Sequence, residues 1–464
     1  MKETKLYTII LAAGEGKRMQ SDIPKVFHPI GGLPMIEYAL RRAIDLHSDK
    51  IMVVVGTGKE IIMGYVSKRY EDAIFIHQNK QLGTADAVKS AAQELSGLEG
   101  DALILNGDVP LIKHSLIKEF YEQYKKSGAS LAFITSKLDE PEGYGRVVKR
   151  AGKYEIVEEN DADDKIKKIK EINAGIYLVS SKLLFKALER VKPSDTTGEY
   201  YLTDIITIVQ SMKKKLINFH TDDADQVLGV NDRKALAHSE SILNKRKLNS
   251  LMASGVTIFD PNTTYVEQDV MIGKDSIVYP NSFIMNGTKI GKRCTIWNGA
   301  VISNSIINDE SEVKPYSIID QSIVGRNSII GPFARLRPDT VLDEQVHVGN
   351  FVEIKKSVLG KKTKANHLSY IGDATIGNNV NIGAGTITCN YDGVKKNLTV
   401  IEDEAFIGSD TALVAPVRIG KGALIGAGSV ITKSVPDDAL GIERNEQKNI
   451  EGYARKRKTK LGQK

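Results

Sequence analysis

The sequence has few cysteines and no long apolar run, and each absence excludes a class of protein. Its two cysteines among 464 residues, Cys294 and Cys389, are too few for a disulfide framework and lack the spacing of metal ligands. No stretch of 18 apolar residues is present, which excludes an ordinary membrane-spanning helix. The apolar run at residues 6–14 ends in a glycine turn, so we interpret it as a strand and not as a signal peptide. These features predict a cytoplasmic protein that is not inserted in a membrane.

The net charge of +6 also lacks the distribution of a nucleic-acid-binding surface. The last ten residues, RKRKTKLGQK, contain six Lys or Arg and no acidic residue. Subtracting those six from the 64 basic residues leaves 58, which equals the number of acidic residues. Because the rest of the chain is close to neutral, we expect small-molecule substrates and no nucleic acid. The basic end itself is expected to be solvated and disordered.

Residues 1–230 alternate short apolar runs with helical patterns. The apolar runs end at Gly or Asp, and the segments between them repeat apolar residues with the period of a helix. Strands are predicted at 6–14, 50–56 and 102–108, and helices at 35–46 and 84–95. This alternation predicts an α/β, Rossmann-like domain with a parallel sheet. In such domains ligands bind beyond the carboxyl ends of the strands.

The pattern changes after residue 230. Residues 231–255 are rich in Lys, Leu, Ala and Ser and have no internal Gly or Pro, which predicts a linker helix that ends at Gly255. Over 256–437, an aliphatic residue followed by Gly recurs at multiples of six. This hexapeptide repeat is typical of a left-handed parallel β-helix. Residues 438–464 are predicted to form a tail.

Two gaps interrupt the hexapeptide period. The aliphatic-Gly pairs at 290 and 324 are 34 residues apart, and those at 382 and 407 are 25 apart. Neither distance is a multiple of six, so we expect loops or faulty coils in both places. The segment TCNYDGVKKN (388–397) is the clearest candidate for such a loop.

A glycine-rich turn, LAAGEGKRM (11–19), follows the first predicted strand. Backbone N–H groups in such a turn can approach phosphate oxygens. The turn is neither a Walker loop nor a dinucleotide fingerprint, which would need Gly where Met19 stands. The glycines alone fit an ordinary tight turn equally well. However, Lys17, Arg18 and Lys25 supply positive charge for a triphosphate, and Asp108 follows a strand, where a carboxylate can hold Mg²⁺.

The turn resembles the signature L-A-A-G-x-G-[ST]-R-M, followed by P-K, of the sugar-nucleotide pyrophosphorylase family. Lys17 stands where Ser or Thr is usual, and Asn106 where an aromatic residue is common. The resemblance continues through GYGRVV (143–148), IVEENDA (156–162), EINAGIY (171–177), GEYYLTDII (198–206) and LGVNDR (228–233). With the hexapeptide half included, nearly the whole chain is similar to the bifunctional family that joins an N-acetylglucosamine-1-phosphate uridyltransferase to a glucosamine-1-phosphate N-acetyltransferase.

For the amino-terminal half, the resemblance implies uridylyl transfer from UTP to N-acetylglucosamine 1-phosphate with release of pyrophosphate. It implies that Lys25 contacts the phosphates and that Asp108 and Asn231 coordinate Mg²⁺. The implied nucleotide and sugar site consists of Leu11, Ala12, Ala13, Gly14, Arg18, Lys25, Gln78, Gly83, Thr84, Asn106, Gly107, Asp108, Gly145, Glu158, Asn173 and Asn231. Because the attacking phosphate is already an anion, positioning and charge neutralisation are expected to suffice without a general base.

For the carboxyl-terminal half, His367 in NHLSYIGDATIG (366–377) is the residue of interest. The inside of a β-helix favours aliphatic residues, so we expect this histidine on the outside, where a plain surface histidine is the simplest alternative. A neutral imidazole can accept the proton of an amine that is acetylated from a thioester, and the resemblance assigns this role to His367. It further implies a sugar-phosphate site of Arg337, Lys355, Tyr370 and Asn381, and an acetyl-CoA site of Ala384, Asn390, Tyr391, Ser409, Ala427 and Arg444.

Two consecutive activities on one chain predict synthesis of UDP-N-acetylglucosamine, with acetyl-CoA and UTP as co-substrates and Mg²⁺ as the metal. The resemblance implies a role in making peptidoglycan and lipopolysaccharide, and a homotrimer assembled through the β-helix. One alternative is a monofunctional sugar-nucleotide pyrophosphorylase with an oligomerising β-helix, against which His367 and the coenzyme A residues argue. A second is a binding scaffold with an inactive amino-terminal domain, against which Lys25, Asp108 and Asn231 argue.

Overall fold

The computed structural model describes residues 4–56 and 58–461. By its internal contacts the chain divides into two compact units, Met1–Asn244 and Lys245–Lys464. Among the described residues, no helix is both long and apolar enough to cross a membrane.

The amino-terminal unit is built on a nine-stranded sheet. Its strands are Leu6–Ala12, Lys50–Val55, Ile74–His77, Asp101–Asn106, Leu131–Lys137, Arg146–Arg150, Lys153–Val157, Glu171–Ser180 and Leu216–His220, and a separate small hairpin pairs Pro29–Ile30 with Leu33–Pro34. The first strand lies inside the sheet, parallel to both of its neighbours, Lys50–Val55 and Asp101–Asn106. The three predicted strands are therefore confirmed, with ends that differ by at most two residues.

Two strands, Lys153–Val157 and Glu171–Ser180, make the sheet mixed, where a parallel sheet was predicted. Glu171–Ser180 runs antiparallel to Asp101–Asn106 and to Leu131–Lys137. The hairpin Arg146–Arg150 and Lys153–Val157 precedes it and turns the chain back. A continuous apolar run indicates a strand that is covered on both faces, but it does not tell the direction of the strand.

Helices cover both faces of this sheet. Successive strand residues point to opposite sides, and apolar residues on both sides need to be covered. Ile10 packs into one apolar layer and its neighbour Ile9 into the other. The helices of the unit include Met35–Asp45, Lys59–Ser67, Thr84–Ala92, His114–Ser127, Asp164–Lys167, Ser181–Leu188 and Ile205–Ser211, with 3₁₀ turns at Lys17–Met19, Lys25–Phe27, Gln93–Leu95, Glu159–Asp161, Leu202–Asp204 and Ala224–Val227. The predicted Rossmann-like α/β architecture is confirmed.

A 21-residue helix, Arg233–Ala253, lies where the linker helix was predicted. Gly255 follows with a φ of +92°. This left-handed geometry favours glycine and commonly terminates helices.

The carboxyl-terminal unit is a parallel β-helix whose short strands form three sheets. Face 1 consists of Thr257–Ile258, Ile277–Val278, Thr295–Ile296, Glu312–Val313, Ile329–Ile330, His347–Asn350, Lys364–His367, Asn381–Ile382, Phe406–Ile407, Leu424–Ile425 and Leu440–Gly441. Face 2 consists of Tyr265–Val266, Phe283–Met285, Val301–Ser303, Ile318–Asp320, Arg335–Leu336, Glu353–Lys355, Tyr370–Gly372, Ile387–Cys389, Ala412–Val414 and Val430–Ile431. Face 3 consists of Met271–Ile272, Lys289–Ile290, Ile306–Ile307, Ser322–Val324, Thr340–Leu342, Val358–Leu359, Ala374–Ile376, Thr399–Ile401 and Val417–Ile419.

Buried aliphatic side chains fill the inside of this β-helix, one per strand in most coils. Ile290, Ile307 and Val324 are successive neighbours on face 3 and all are buried. The 34-residue gap is therefore two coils of seventeen residues. The prediction of a loop or faulty coil in this gap is wrong. The middle strand escaped the aliphatic-Gly pattern because Ile307 is followed by Asn308.

The 25-residue gap, in contrast, contains the expected loop. Ile382 and Ile407 are direct neighbours on face 1 although they are 25 residues apart. The additional residues lie between Cys389 and Thr399, where a bridge pairs Tyr391 with Lys396.

Aromatic residues stack along the corner between faces 1 and 2. Tyr316, Phe333 and Phe351 have φ values of +59°, +55° and +58°, which bulky side chains rarely adopt. Successive rings are 5.3 and 5.4 Å apart, and the three side chains remain 54, 47 and 56 % exposed. The corner therefore presents a continuous apolar surface.

At the carboxyl end, the structure differs from the expected disordered tail. Tyr453–Lys460 forms a helix in which no residue is buried. Its Lys, Arg and Ala residues have high helix propensity, which accounts for a helix without packing partners.

Candidate functional site

A cleft of about 1210 Å³ opens in the amino-terminal unit. All predicted nucleotide and sugar residues line it except Ala12 and Gly107. Ala12 is buried, and the Gly107 N–H donates to the carbonyl oxygen of Leu11 at 2.9 Å. These two residues therefore lie behind the wall of the cleft and support it.

Glycines allow the close backbone contacts that shape this cleft. At Gly16, a Cβ would lie 2.6 Å from Cβ of Lys25, so the absence of a side chain lets the glycine-rich turn pack against the stem of that lysine. At Gly83, φ is +114° and a Cβ would lie 2.5 Å from the carbonyl oxygen of Tyr200. The start of the helix Thr84–Ala92 is thereby held against a second segment of the cleft.

Lys25 connects the two predicted metal ligands. Its Nζ donates to Oδ1 of Asn231 at 2.6 Å and forms an ion pair with Oδ2 of Asp108. The two oxygens thus converge on one cationic atom, and a carboxylate with an amide is an oxygen donor set that Mg²⁺ accepts when phosphates complete its shell. Among the described residues, no group of three His, Cys, Asp or Glu could hold a metal.

Glu158 and Asn173 occupy the part of the cleft predicted for the sugar. Thr203 Oγ1 donates to Oε1 of Glu158 at 2.9 Å. Burial, followed by the charges of nearby acidic residues, raises the pKa of Glu158 above 4.5 in spite of this hydrogen bond. Asn173 Nδ2 donates to Tyr177 Oη at 2.7 Å, while the buried Oδ1 of Asn173 has no partner in the described part of the chain. Both side chains therefore present oxygens to which a sugar hydroxyl or amide can donate.

Glu158→Gln is expected to stabilise the protein at neutral pH. A carboxyl with a raised folded-state pKa contributes stability below its unfolded pKa and loses that contribution as the pH rises through the folded pKa. At pH 7–8 the variant should therefore melt about 2–4 °C higher, a shift that corresponds to ~1 kcal/mol, and at pH 4 it should match the wild type. Glu15→Gln, an exposed change in the same cleft at a residue that is not among the charges acting on Glu158, is the control. If the variant shifted the melting temperature equally at both pH values, the raised pKa of Glu158 would be contradicted.

In the carboxyl-terminal unit, His367 is exposed at the corner between faces 1 and 2. Its Nδ1 lies 3.1 Å from Oδ1 of Asn350, the neighbouring residue on the preceding coil. An amide oxygen can only accept a hydrogen bond, so Nδ1 is the donor. Nε2 of the neutral ring then keeps its lone pair and can accept a proton.

Positive side chains lie at the other edge of face 2, where Lys355 is in register with Gly372. Lys355 contacts Lys396, which lies in the inserted loop, and the hydrogen bond and positive charge of Lys396 lower the pKa of Lys355. Arg337 adds to this effect, although its Nη1 is also paired with Oε1 of Glu353 at 2.8 Å. Such a group of cations is suited to a phosphate.

Two further predicted residues, Tyr370 of the sugar-phosphate site and Asn390 of the coenzyme A site, lie over Gly372. A Cβ on this residue would lie 2.5 Å from Tyr370 Oη and 2.8 Å from Asn390 Nδ2, so the two side chains meet over it. Asn390 is buried and donates to Oδ2 of Asp373 at 2.6 Å. Tyr391 is 60 % exposed and lies at the start of the inserted loop.

The small predicted coenzyme A residues form a column above His367. Ala384, Ser409 and Ala427 take the same place on successive coils, and backbone hydrogen bonds of 2.7–3.1 Å join the residues of this corner from coil to coil. At the end of the column, Arg444 Nη1 donates to the carbonyl oxygen of Ala427 at 3.0 Å. The column is narrow and has few side-chain atoms, as a site for an extended chain requires.

Comparisons with known proteins cover both units. The MobA-like NTP transferase domain matches residues 8–209, the GMPPB C-terminal domain matches 266–358, and six repeats of the bacterial transferase hexapeptide match 398–433. The last match fits the predicted left-handed form of the β-helix. A solved structure of a UDP-glucose pyrophosphorylase with UDP-glucose is 20 % identical, with a TM-score of 0.43, over 52 % of this chain and 99 % of that one.

Full-length relatives decide the family. The bifunctional protein GlmU of Geotalea daltonii is 45 % identical over 98 % of this chain and 100 % of its own length. That of Thermotoga maritima is 45 % identical over 97 % of this chain and 99 % of its own. The chain belongs to the GlmU family. The predicted enzyme, an N-acetylglucosamine-1-phosphate uridyltransferase joined to a glucosamine-1-phosphate N-acetyltransferase, is confirmed over the monofunctional alternative.

One predicted residue of this GlmU-family chain lies apart from its group. Asn381 is on face 1, in register with Lys364 and Phe406. Arg337 follows a strand of face 2, and Tyr370 begins another. The structure of a single chain therefore groups Tyr370 with the cations on face 2. His367 lies three residues before Tyr370, at the end of a face 1 strand, and Asn381 lies on face 1 of the next coil.

Two contacts of the GlmU-family site had not been predicted. Asn350 precedes His367 by seventeen residues, so a coil length of seventeen, applied to the sequence, could have indicated the pair. Lys396 lies in the loop that breaks the hexapeptide period, and no pattern in the sequence places it beside Lys355.

Proposed function

We propose that uridylyl transfer takes place in the cleft of the amino-terminal unit, at the predicted nucleotide and sugar residues. The observation that supports this most is the convergence of Lys25, Asp108 and Asn231 on one point beside the glycine-rich turn. A triphosphate bound to the backbone N–H groups of that turn would meet a cation and two oxygen donors there.

In this proposal, a phosphate oxygen of N-acetylglucosamine 1-phosphate attacks the α-phosphorus of UTP. The new O–P bond forms as the bond to the bridging oxygen of the β-phosphate breaks, and pyrophosphate leaves. Lys25 and Arg18 neutralise the charge on the phosphates, while Glu158 and Asn173 orient the sugar. A Mg²⁺ ion held by Asp108 and Asn231 would supply further charge neutralisation.

Acetyl transfer is proposed for the corner of the β-helix that contains His367. The amine of glucosamine 1-phosphate attacks the thioester carbonyl of acetyl-CoA, a C–N bond forms and the C–S bond breaks. Nε2 of His367 accepts the proton that the amine loses, and coenzyme A leaves. Arg337, Lys355 and Lys396 hold the sugar phosphate, and the column of small residues holds the pantetheine arm. Both steps are proposed to occur in the cytoplasm.

Removal of the metal separates the two activities. The purified chain is supplied with glucosamine 1-phosphate, acetyl-CoA and UTP, and free thiol and pyrophosphate are measured in the same reaction. Because the proposed metal site is confined to the cleft, EDTA should stop pyrophosphate release and leave thiol release unchanged, and added Mg²⁺ should restore the former. Pyrophosphate release that persists in EDTA would contradict the metal assignment.

We further propose that a second copy of the chain completes the acetyltransferase site, in a homotrimer. Asn381 lies on a different face from Tyr370, so a site that uses both needs Asn381 from a neighbouring subunit. The exposed stack of Tyr316, Phe333 and Phe351 supports this proposal, because a neighbour packed on that corner would remove its apolar surface from water.

Subunit complementation tests the shared site. His367→Ala and Asn381→Ala chains, each expected to have little acetyltransferase activity, are co-expressed with different affinity tags and purified through both tags. In mixed trimers some sites would combine an intact His367 with an intact Asn381, so part of the activity should return. Co-expressed His367→Ala and Tyr370→Ala chains are the control, because those two side chains come from one subunit and no site would be intact. Equal activity in both mixtures would exclude the shared site.

A further inference from the structure

We infer that Lys25 is an internal counterion that holds the metal position of the cleft closed until a nucleotide triphosphate draws its ammonium group away. Metal and nucleotide would then bind cooperatively, since each needs Lys25 to leave Asp108 and Asn231. The inference rests on the proposed metal role of Asp108 and Asn231 and adds to it an order of events.

The first observation is the geometry of the ammonium group. Lys25 Nζ contacts both oxygens that the metal would use, at 2.6 Å from Asn231 Oδ1 and in an ion pair with Asp108 Oδ2. The Lys25 side chain is 14 % exposed and that of Asp108 is 23 % exposed. An ammonium group and a divalent ion repel each other and cannot accept the same lone pairs, so only one of them can be present.

The second observation is that the two ligands are held in place independently of Lys25. The backbone N–H of Val230, next to Asn231, donates to the carbonyl oxygen of Asp108 at 2.9 Å. The Tyr144 hydroxyl accepts the N–H of Gly229 at 3.0 Å. The segment that carries Asn231 is therefore fixed beside Asp108, and removal of the lysine should leave both oxygens in position.

The third observation is that Lys25 is connected to the phosphate-binding turn. Its stem packs against Gly16, and its side chain lines the same cleft as Gly14 and Arg18. A triphosphate on this turn offers the ammonium group oxygens with more negative charge than one carboxylate provides. Movement of Nζ to the phosphates would free the metal position at the moment when phosphate oxygens are available to complete the metal's shell.

Binding of Mn²⁺ to the full chain without nucleotide tests this inference. The free ion is followed by electron paramagnetic resonance in wild type, Lys25→Met, Lys25→Gln and Lys59→Met. Lys59 lines the same cleft, so its variant removes one positive charge without changing the contact with Asp108. Loss of a charge-assisted contact predicts that both Lys25 variants bind Mn²⁺ at least about tenfold more tightly than wild type, and that Lys59→Met changes the affinity by less than about threefold.

Asp108→Asn separates the possible failures. If the Lys25 variants bind Mn²⁺ no more tightly than wild type, while Asp108→Asn abolishes binding, the metal site stands and the counterion inference is wrong. If Asp108→Asn leaves Mn²⁺ binding unchanged, the proposed metal site itself is wrong and the inference falls with it. UTP binding without metal is the second readout, and it should weaken in the Lys25 variants because the phosphates lose their cation.

Discussion

His367→Ala is expected to lower acetyl transfer by about 10²- to 10⁴-fold, the range typical of losing a general base. Uridylyl transfer to N-acetylglucosamine 1-phosphate that is supplied ready-made should be unchanged, because His367 lies in the β-helix and not in the cleft. The measurement is release of free thiol from acetyl-CoA, with release of pyrophosphate recorded in parallel.

A second variant distinguishes the roles of the two ring nitrogens. Asn350→Ala removes the acceptor of Nδ1 and leaves the imidazole in place, so the ring is free to adopt its other tautomer. We expect a smaller loss, about 10-fold, in kcat and not in the KM for acetyl-CoA. If His367→Ala retained most of its thiol release, the histidine would be the surface residue of the simplest alternative.

Asp108→Asn is expected to give the opposite selectivity. Its amide is uncharged and cannot form an ion pair with the ammonium group of Lys25, and it is a weaker ligand for a divalent ion than a carboxylate. Pyrophosphate release should fall by about 10²- to 10³-fold, the size expected for loss of a preorganised charge at a phosphoryl centre. Thiol release should remain at the wild-type rate.

Asn231, the other proposed metal ligand, provides a matched comparison for this variant. Asn231→Asp keeps an oxygen donor at the same place, so its loss of pyrophosphate release should be smaller than that of Asp108→Asn. Equal losses in the two variants would indicate that the net charge of the cleft matters and not the identity of each ligand. A normal rate in Asp108→Asn would exclude Asp108 from the reaction.

The sequence was most informative where a site is built from local segments. The glycine-rich turn, Lys25 and Asp108 each follow a strand or precede a helix, and the topology of an α/β sheet brings such places together. The structure gathers these residues in one cleft, as predicted. Ala12 and Gly107 were predicted to line the cleft but lie behind its wall. A motif identifies a segment as a whole and does not tell which of its residues face the cleft.

The β-helix shows what a repeat pattern cannot predict. The pattern identified the architecture, but it missed the strand at Ile306–Ile307 because a coil of seventeen residues tolerates Asn after its inward residue. Contacts that cross coils, such as that of His367 with Asn350, depend on coil lengths that vary between seventeen and eighteen. Lys396 reaches Lys355 from an inserted loop, and the path of an insertion is set by packing and not by the period.

The column of small residues above His367 has a length that is fixed by the spacing of successive coils. Neighbouring strands are about 4.8 Å apart, so the three coil steps from His367 to Ala427 measure about 14 Å. A donor whose reactive end lies at the histidine would extend along this distance toward Arg444, which is anchored at Ala427. Under the proposed acetyl-CoA site, the number of coils between the two residues would set the length of the donor, and deletion of one whole coil is expected to favour a donor about 5 Å shorter.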